Sequence, residues 1–80
     1  MESQSRIEIL AEILLEARGG ATKAEIMSES ELTPSQVDQY LSFLEQSDLL
    51  RKERTSGIFK PTKKGASLIG DYERINQMID

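Results

Sequence analysis

Two reciprocal capping boxes, eleven residues apart, restrict this chain more than any other feature of it. Thr22 is followed three residues later by Glu25, and Thr33 by Gln36. In such a box the threonine hydroxyl accepts the N–H of the third helical residue, whose side chain reaches back to the threonine N–H. A helix is therefore predicted to begin just after each threonine. Pro34 supports the second start, because its missing N–H is not needed there. Over 34–46, Val37, Tyr40, Leu41 and Leu44 recur at helical spacing and form one apolar stripe. At about 100° per residue the opposite side carries Ser35, Gln39, Ser42 and Gln46, with Asp38 and Phe43 at its flanks. Ser47-Asp48 stops this helix, and Leu49-Leu50 opens an extended run.

The helix after Thr22 is short, because SESE over 28–31 suits caps and turns better than a helix interior. Ala24 and Met27 are expected to face inward, Ile26 to be partly buried, and Leu32 to plug the following turn. Upstream, a helix from about Ser5 to Arg18 is predicted, with Ile7, Leu10, Ile13, Leu14 and Ala17 as its buried stripe. Gly19-Gly20 is its stop. Glu8, Glu12 and Glu16 recur every four residues, as a solvated face or as an acidic docking surface. Helix, short turn and a helix with a polar outer face make the helix-turn-helix arrangement, whose second helix enters the DNA major groove. A pair used only for packing is the alternative.

Leu49 to Arg54 and Ile58 to Pro61, joined by Thr55-Ser56-Gly57, read as a β-hairpin with Pro61 at a strand end. Charge is concentrated there. Residues 51–64 hold six basic groups against Glu53, a net +5, whereas residues 1–50 hold three basic against ten acidic, a net −7. Residues 65–80 carry −2, which completes the total of −4. Arg51, Lys52, Arg54 and Lys60 on the hairpin suit phosphate contact through counterion release, and Lys63 and Lys64 extend the patch. Protection of an edge strand from aggregation is the other use of such cations.

Thr62 is expected to cap a last helix that runs almost to Asp80. Leu68, Tyr72, Ile75 and Ile79 are spaced four, three, four, a heptad seam, while Ile69 lies beside it and can face the domain. Gly70 marks a close helix approach or a bend. The seam is expected to pair with its twofold mate in a homodimer, or to pack back on the first helix of its own chain.

Eighty residues make a single domain, 1–80, with a small core. The chain has no cysteine and no histidine, which removes disulfides, thiolate metal sites and the commonest general base. No cofactor, no metal and no enzymatic activity are expected, since no carboxylate, lysine or tyrosine pair is spaced like a catalytic site and the glycines form no phosphate loop. The apolar runs are too short to span a membrane, and Glu2 with the early polar residues argues against a signal peptide. A cytoplasmic location is expected.

In this order the elements are mainly α with a small β-hairpin. The chain resembles winged helix-turn-helix proteins, and in particular small archaeal transcriptional-regulator-like domains that dimerise through a C-terminal helix. The resemblance is carried by Tyr40-Leu41-x-Phe43-Leu44, by Asp48-Leu49-Leu50 and by Phe59-Lys60-Pro61-Thr62-Lys63-Lys64-Gly65. These look like the end of the recognition helix, the first wing strand, and the second wing strand leading into an extended C-terminal helix over 62–80. It implies that the helix over 34–46 enters the major groove of double-stranded DNA and that the wing over 51–60 meets the flanking backbone. Ser35, Gln36, Gln39 and Ser42 are then the candidates for base edges, glutamine being suited to adenine. Lys23, Arg51, Lys52, Arg54, Lys60, Lys63 and Lys64 are the candidates for phosphate. Leu68, Tyr72, Ile75 and Ile79 are the candidates for the dimer interface.

The reading helix contains no Arg or Lys and carries Asp38, so the commonest contact to guanine is outside its chemistry. A transcriptional regulator is the first reading. A winged-helix module for protein–protein contact, without nucleic acid, is the alternative favoured by the acidic first half.

Overall fold

The computed structural model describes residues 5–79, in which three helices, a two-stranded antiparallel sheet and a long fourth helix follow in order. The polar start at Glu2 and the helix end at Asp80 lie outside the described residues. The elements are α1 (Arg6–Glu16), α2 (Lys23–Glu29), α3 (Pro34–Gln46), β1 (Leu50–Lys52), β2 (Phe59–Pro61) and α4 (Lys63–Ile79). This is a winged-helix architecture, as the order of sequence signals implies.

All three leading helices start in the same way. The hydroxyls of Thr22 and Thr33 accept the N–H groups of Glu25 and Gln36 at 3.2 and 3.1 Å. The return bonds, from the threonine N–H groups to Glu25 and Gln36, are 2.9 and 3.0 Å. Ser5 and Glu8 form a third box that S-x-x-E spells out at the start of α1. Caps of this kind contribute about 1 kcal/mol each, which matters in so small a domain.

α3 ends in a Schellman motif. Asp48 takes a left-handed conformation at φ 62°, the Leu49 N–H donates to the Leu44 carbonyl at 2.9 Å, and the Asp48 N–H donates to Glu45 at 3.0 Å. That turn aims the chain into β1. Strand register pairs Leu50 with Pro61, Arg51 with Lys60 and Lys52 with Phe59. Ala21 adds a single bridge on the far side of β2, exchanging bonds of 3.1 and 2.7 Å with Phe59. The strands are shorter than the runs 49–54 and 58–61, because Glu53 and Gly57 close a turn between them, with Gly57 at φ 71°.

Ile13, Leu14, Ala17, Ala21, Ile26, Val37, Leu41, Leu44, Leu50, Phe59 and Ile69 form the core. Three expectations are corrected here. Ile7 is 67% exposed, not buried, because it lines an open groove between α1 and α4, and Ala11 takes the inward place. In α2, Ile26 is the fully buried residue while Ala24 is exposed and Met27 half-buried. Ala21 and Ile26 hold the two positions of a hydrophobic staple across the Thr22 cap, and that local lock sets the helix phase.

The third concerns glycine. Gly70 makes no close approach: an added Cβ would meet only Arg74 Nη1, at 3.8 Å. Gly65 does. A Cβ there would lie 3.0 Å from the Leu49 carbonyl carbon and nearer still to its oxygen. The same loop is tied by Thr62, whose N–H donates to Leu49 at 3.1 Å and whose hydroxyl donates to the Asp48 carbonyl at 2.6 Å. That hydroxyl also accepts the Gly65 N–H at 3.0 Å, so Thr62 caps α4 as expected.

Candidate nucleic-acid interface

Val37, Leu41 and Leu44 anchor α3 from behind, so the residues on its other side face solvent: Ser35, Gln36, Gln39 and Ser42 are all exposed. They are not equivalent. A bidentate bond to adenine needs the amide oxygen and nitrogen together, and the Gln36 oxygen already accepts the Thr33 N–H. Gln39 keeps both groups available and sits one turn further along. Phe43, at the flank of this face, is 52% exposed.

The cations divide by what holds them. Lys23 Nζ lies 2.5 Å from Asp38 Oδ1, so this phosphate candidate is paired with a carboxylate at the flank of the polar face. An exposed pair of this kind contributes at most about 1 kcal/mol to stability. Asp38→Asn is accordingly expected to change unfolding free energy by less than about 1 kcal/mol. If the domain binds duplex DNA through these cations, the change should also raise duplex affinity and steepen the salt slope by about one for each chain bound, as Lys23 is released. Parallel urea melts and salt titrations of duplex binding check both halves.

On the hairpin, Lys60 lies 3.9 Å from Glu53, and Lys52 Nζ stands 5.6 Å from the Phe59 ring centroid in a cation–π arrangement. Arg51 and Arg54 are exposed and make no ion pair among the described residues. Lys63 and Lys64 occupy the first two positions of α4. Lys64 Nζ donates to the Ser47 carbonyl at 3.3 Å, which places it at the C-terminal end of α3. The fold thus brings Lys23 and Lys64 to the two ends of the α3 surface. Arg51, Lys52, Arg54 and Lys60 stay on the wing.

On the other side of the domain, Leu68, Tyr72 and Ile75 of the heptad seam line an open apolar groove of about 220 Å³ with Ile7, Leu10 and Leu14 of α1. Ile79 lies beyond it, 78% exposed. Arg18 bridges to Glu73 at 2.9 Å, tying the end of α1 to α4. Among the described residues no cluster of potential metal ligands occurs, and no helix is long and apolar enough to cross a membrane.

A family profile described as winged helix-turn-helix matches residues 4–80. The chain belongs to the winged helix-turn-helix family. A solved structure, that of a mutant of Lactococcus lactis ZitR, is similar to it with a TM-score of 0.76 and 19% sequence identity. That match covers 99% of this chain and 60% of the ZitR chain, and at such identity it is a likeness of fold. No curated protein matches the chain significantly. In winged helix-turn-helix terms α2 and α3 are the helix pair, the β1–β2 hairpin is the wing, and the Ala21 bridge supplies the third strand position.

Proposed function

We propose that this winged helix-turn-helix chain is a homodimeric transcriptional regulator that binds double-stranded DNA and has no catalytic role. One observation carries the reading. Lys63 and Lys64 stand at the N-terminal end of α4, with no acidic residue in that first turn. The α4 dipole disfavours the Lys63 cation there by about 0.3–1 kcal/mol, whereas Lys64 Nζ reaches the Ser47 carbonyl at the C-terminal end of α3, where a cation is favoured. A backbone N–H end and two lysines together form a phosphate-binding corner, which gives the placement of Lys63 a purpose. Arg51, Lys52, Arg54 and Lys60 extend the contact along the wing, while Gln39, with Ser35, Gln36 and Ser42 around it, faces base edges in the major groove.

Dimerisation doubles these contacts. The seam of Leu68, Tyr72, Ile75 and Ile79 is the interface in this reading, supported by the exposure of Leu68, Ile75 and Ile79. Residues 1–80 act as one domain in the cytoplasm. If each protomer supplies about three phosphate contacts, log K against log salt falls with a slope near −5. A salt titration of duplex binding, paired with sedimentation at tens of micromolar protein, checks both parts. A flat salt response removes the DNA reading, and a monomer removes the dimer.

A second reading keeps the fold and replaces the polyanion with a protein. The exposed row of Glu8, Glu12 and Glu16 favours it, as does the absence of Arg and Lys from α3. A stoichiometric, nuclease-insensitive protein complex with no duplex shift at low salt is its signature.

A further inference from the structure

We propose that Phe43 reads thymine, its ring meeting the C5-methyl group of a base about two pairs away from the adenine held by Gln39. The inference rests on the DNA-binding reading above and adds a specificity-determining residue to it. Phe43 is half exposed and stands outside the core, whereas Val37, Leu41 and Leu44 on the same helix are buried. About half of this aromatic side chain is therefore open to solvent on the outer side of α3. Gln36, Gln39 and Phe43 follow one another at i, i+3 and i+7, which puts them on one ridge of α3. In the major groove the thymine methyl is the apolar group offered among donors and acceptors, and phenylalanine is one of the side chains that contact it.

Spacing fits as well. Four residues of helix rise separate Gln39 from Phe43, roughly 6 Å, against about 3.4 Å per base step. A helix lying along the groove with adenine at Gln39 thus brings Phe43 to a base about two steps on. With no Arg or Lys on α3 for guanine, amide and phenyl groups together select A·T pairs.

The test compares a labelled duplex of mixed A·T sequence with the same duplex carrying deoxyuridine for every thymine, by fluorescence anisotropy at low salt. The swap removes the methyl groups and keeps the base pairing. Wild-type protein is expected to bind the thymine duplex about fourfold tighter for each methyl covered (about 0.8 kcal/mol at 1.4 kcal/mol per tenfold). Phe43→Ala should bind both duplexes alike, with unchanged helicity because the side chain is half in water, and Phe43→Leu should keep part of the preference. Equal, tight binding of both duplexes by wild type overturns the thymine contact and leaves the DNA reading standing. A preference that survives Phe43→Ala overturns it too. So does a Phe43→Ala protein that loses dimerisation with no thymine preference in wild type, since Phe43 is then a protein contact. Failure of wild type to bind either duplex overturns the DNA reading and this inference with it.

Discussion

A Lys63→Glu/Lys64→Glu variant is expected to lose at least about a thousandfold in duplex affinity at about 0.15 M salt while unfolding no earlier than the wild type. In the proposed dimer, with about six phosphate contacts, the change removes four, so the salt slope falls from about −5 to about −2 and the counterion term loses about three decades. Stability moves the other way. Glutamates at the start of α4 complement the dipole that the lysines oppose, worth about 0.3–1 kcal/mol each. That gain offsets loss of the single Lys64 bond to the Ser47 carbonyl. Filter binding at several salt concentrations and a thermal melt by circular dichroism separate the two effects. A loss of affinity under about fivefold, with the slope unchanged, would show that these lysines do not meet phosphate.

Gly65→Ala is expected to cost about 3 kcal/mol, at the upper end for overpacking, because the new Cβ meets backbone and not a side chain that can turn away. For a domain of this size that lowers the melting temperature by roughly 12–24 °C. The Leu49 carbonyl it strikes already accepts the Thr62 N–H, so relief must separate the start of α4 from the end of α3. Lys63 and Lys64 move with it, and duplex binding should weaken even below the melting temperature. Gly70→Ala is the matched control. A Cβ there meets only the Arg74 side chain at an ordinary contact distance, and the change should stabilise by about 0.5–1 kcal/mol through helix propensity. Equal melting temperatures for the two variants would contradict the close contact at Gly65.

The contrast between these glycines shows where sequence reading reached its limit. Gly70 stands in the middle of a helical pattern, and its cost to the helix suggested a packing reason. Gly65 sits in the first turn after a cap, where glycine attracts no notice, yet it is the one whose neighbour lies sixteen positions earlier in the chain. Ile26 and Ile7 depart from their helical spacing for related reasons. Spacing turns Ala24 and Met27 inward and leaves Ile26 partly buried, whereas in the fold Ile26 joins Ala21 in the core. Ile7 belongs to the α1 stripe by spacing, and only the groove that α4 leaves open against α1 keeps it exposed. The ion pair of Lys23 with Asp38 joins residues on two helices, and no rule of local spacing brings them together.

Where each helix begins, where α3 stops, which side of it is polar and where the positive charge accumulates were all legible in the residues themselves. Caps, turns and helical period act over three or four positions, so a short stretch of chain suffices to dictate them. Which cations are spent on carboxylates, which glutamine keeps its amide free, which glycine admits another backbone and which apolar residues line the α1–α4 groove were decided only by tertiary structure. Each of those depends on what a distant segment lays across the residue, and close packing is set by that segment and not by the sequence beside it.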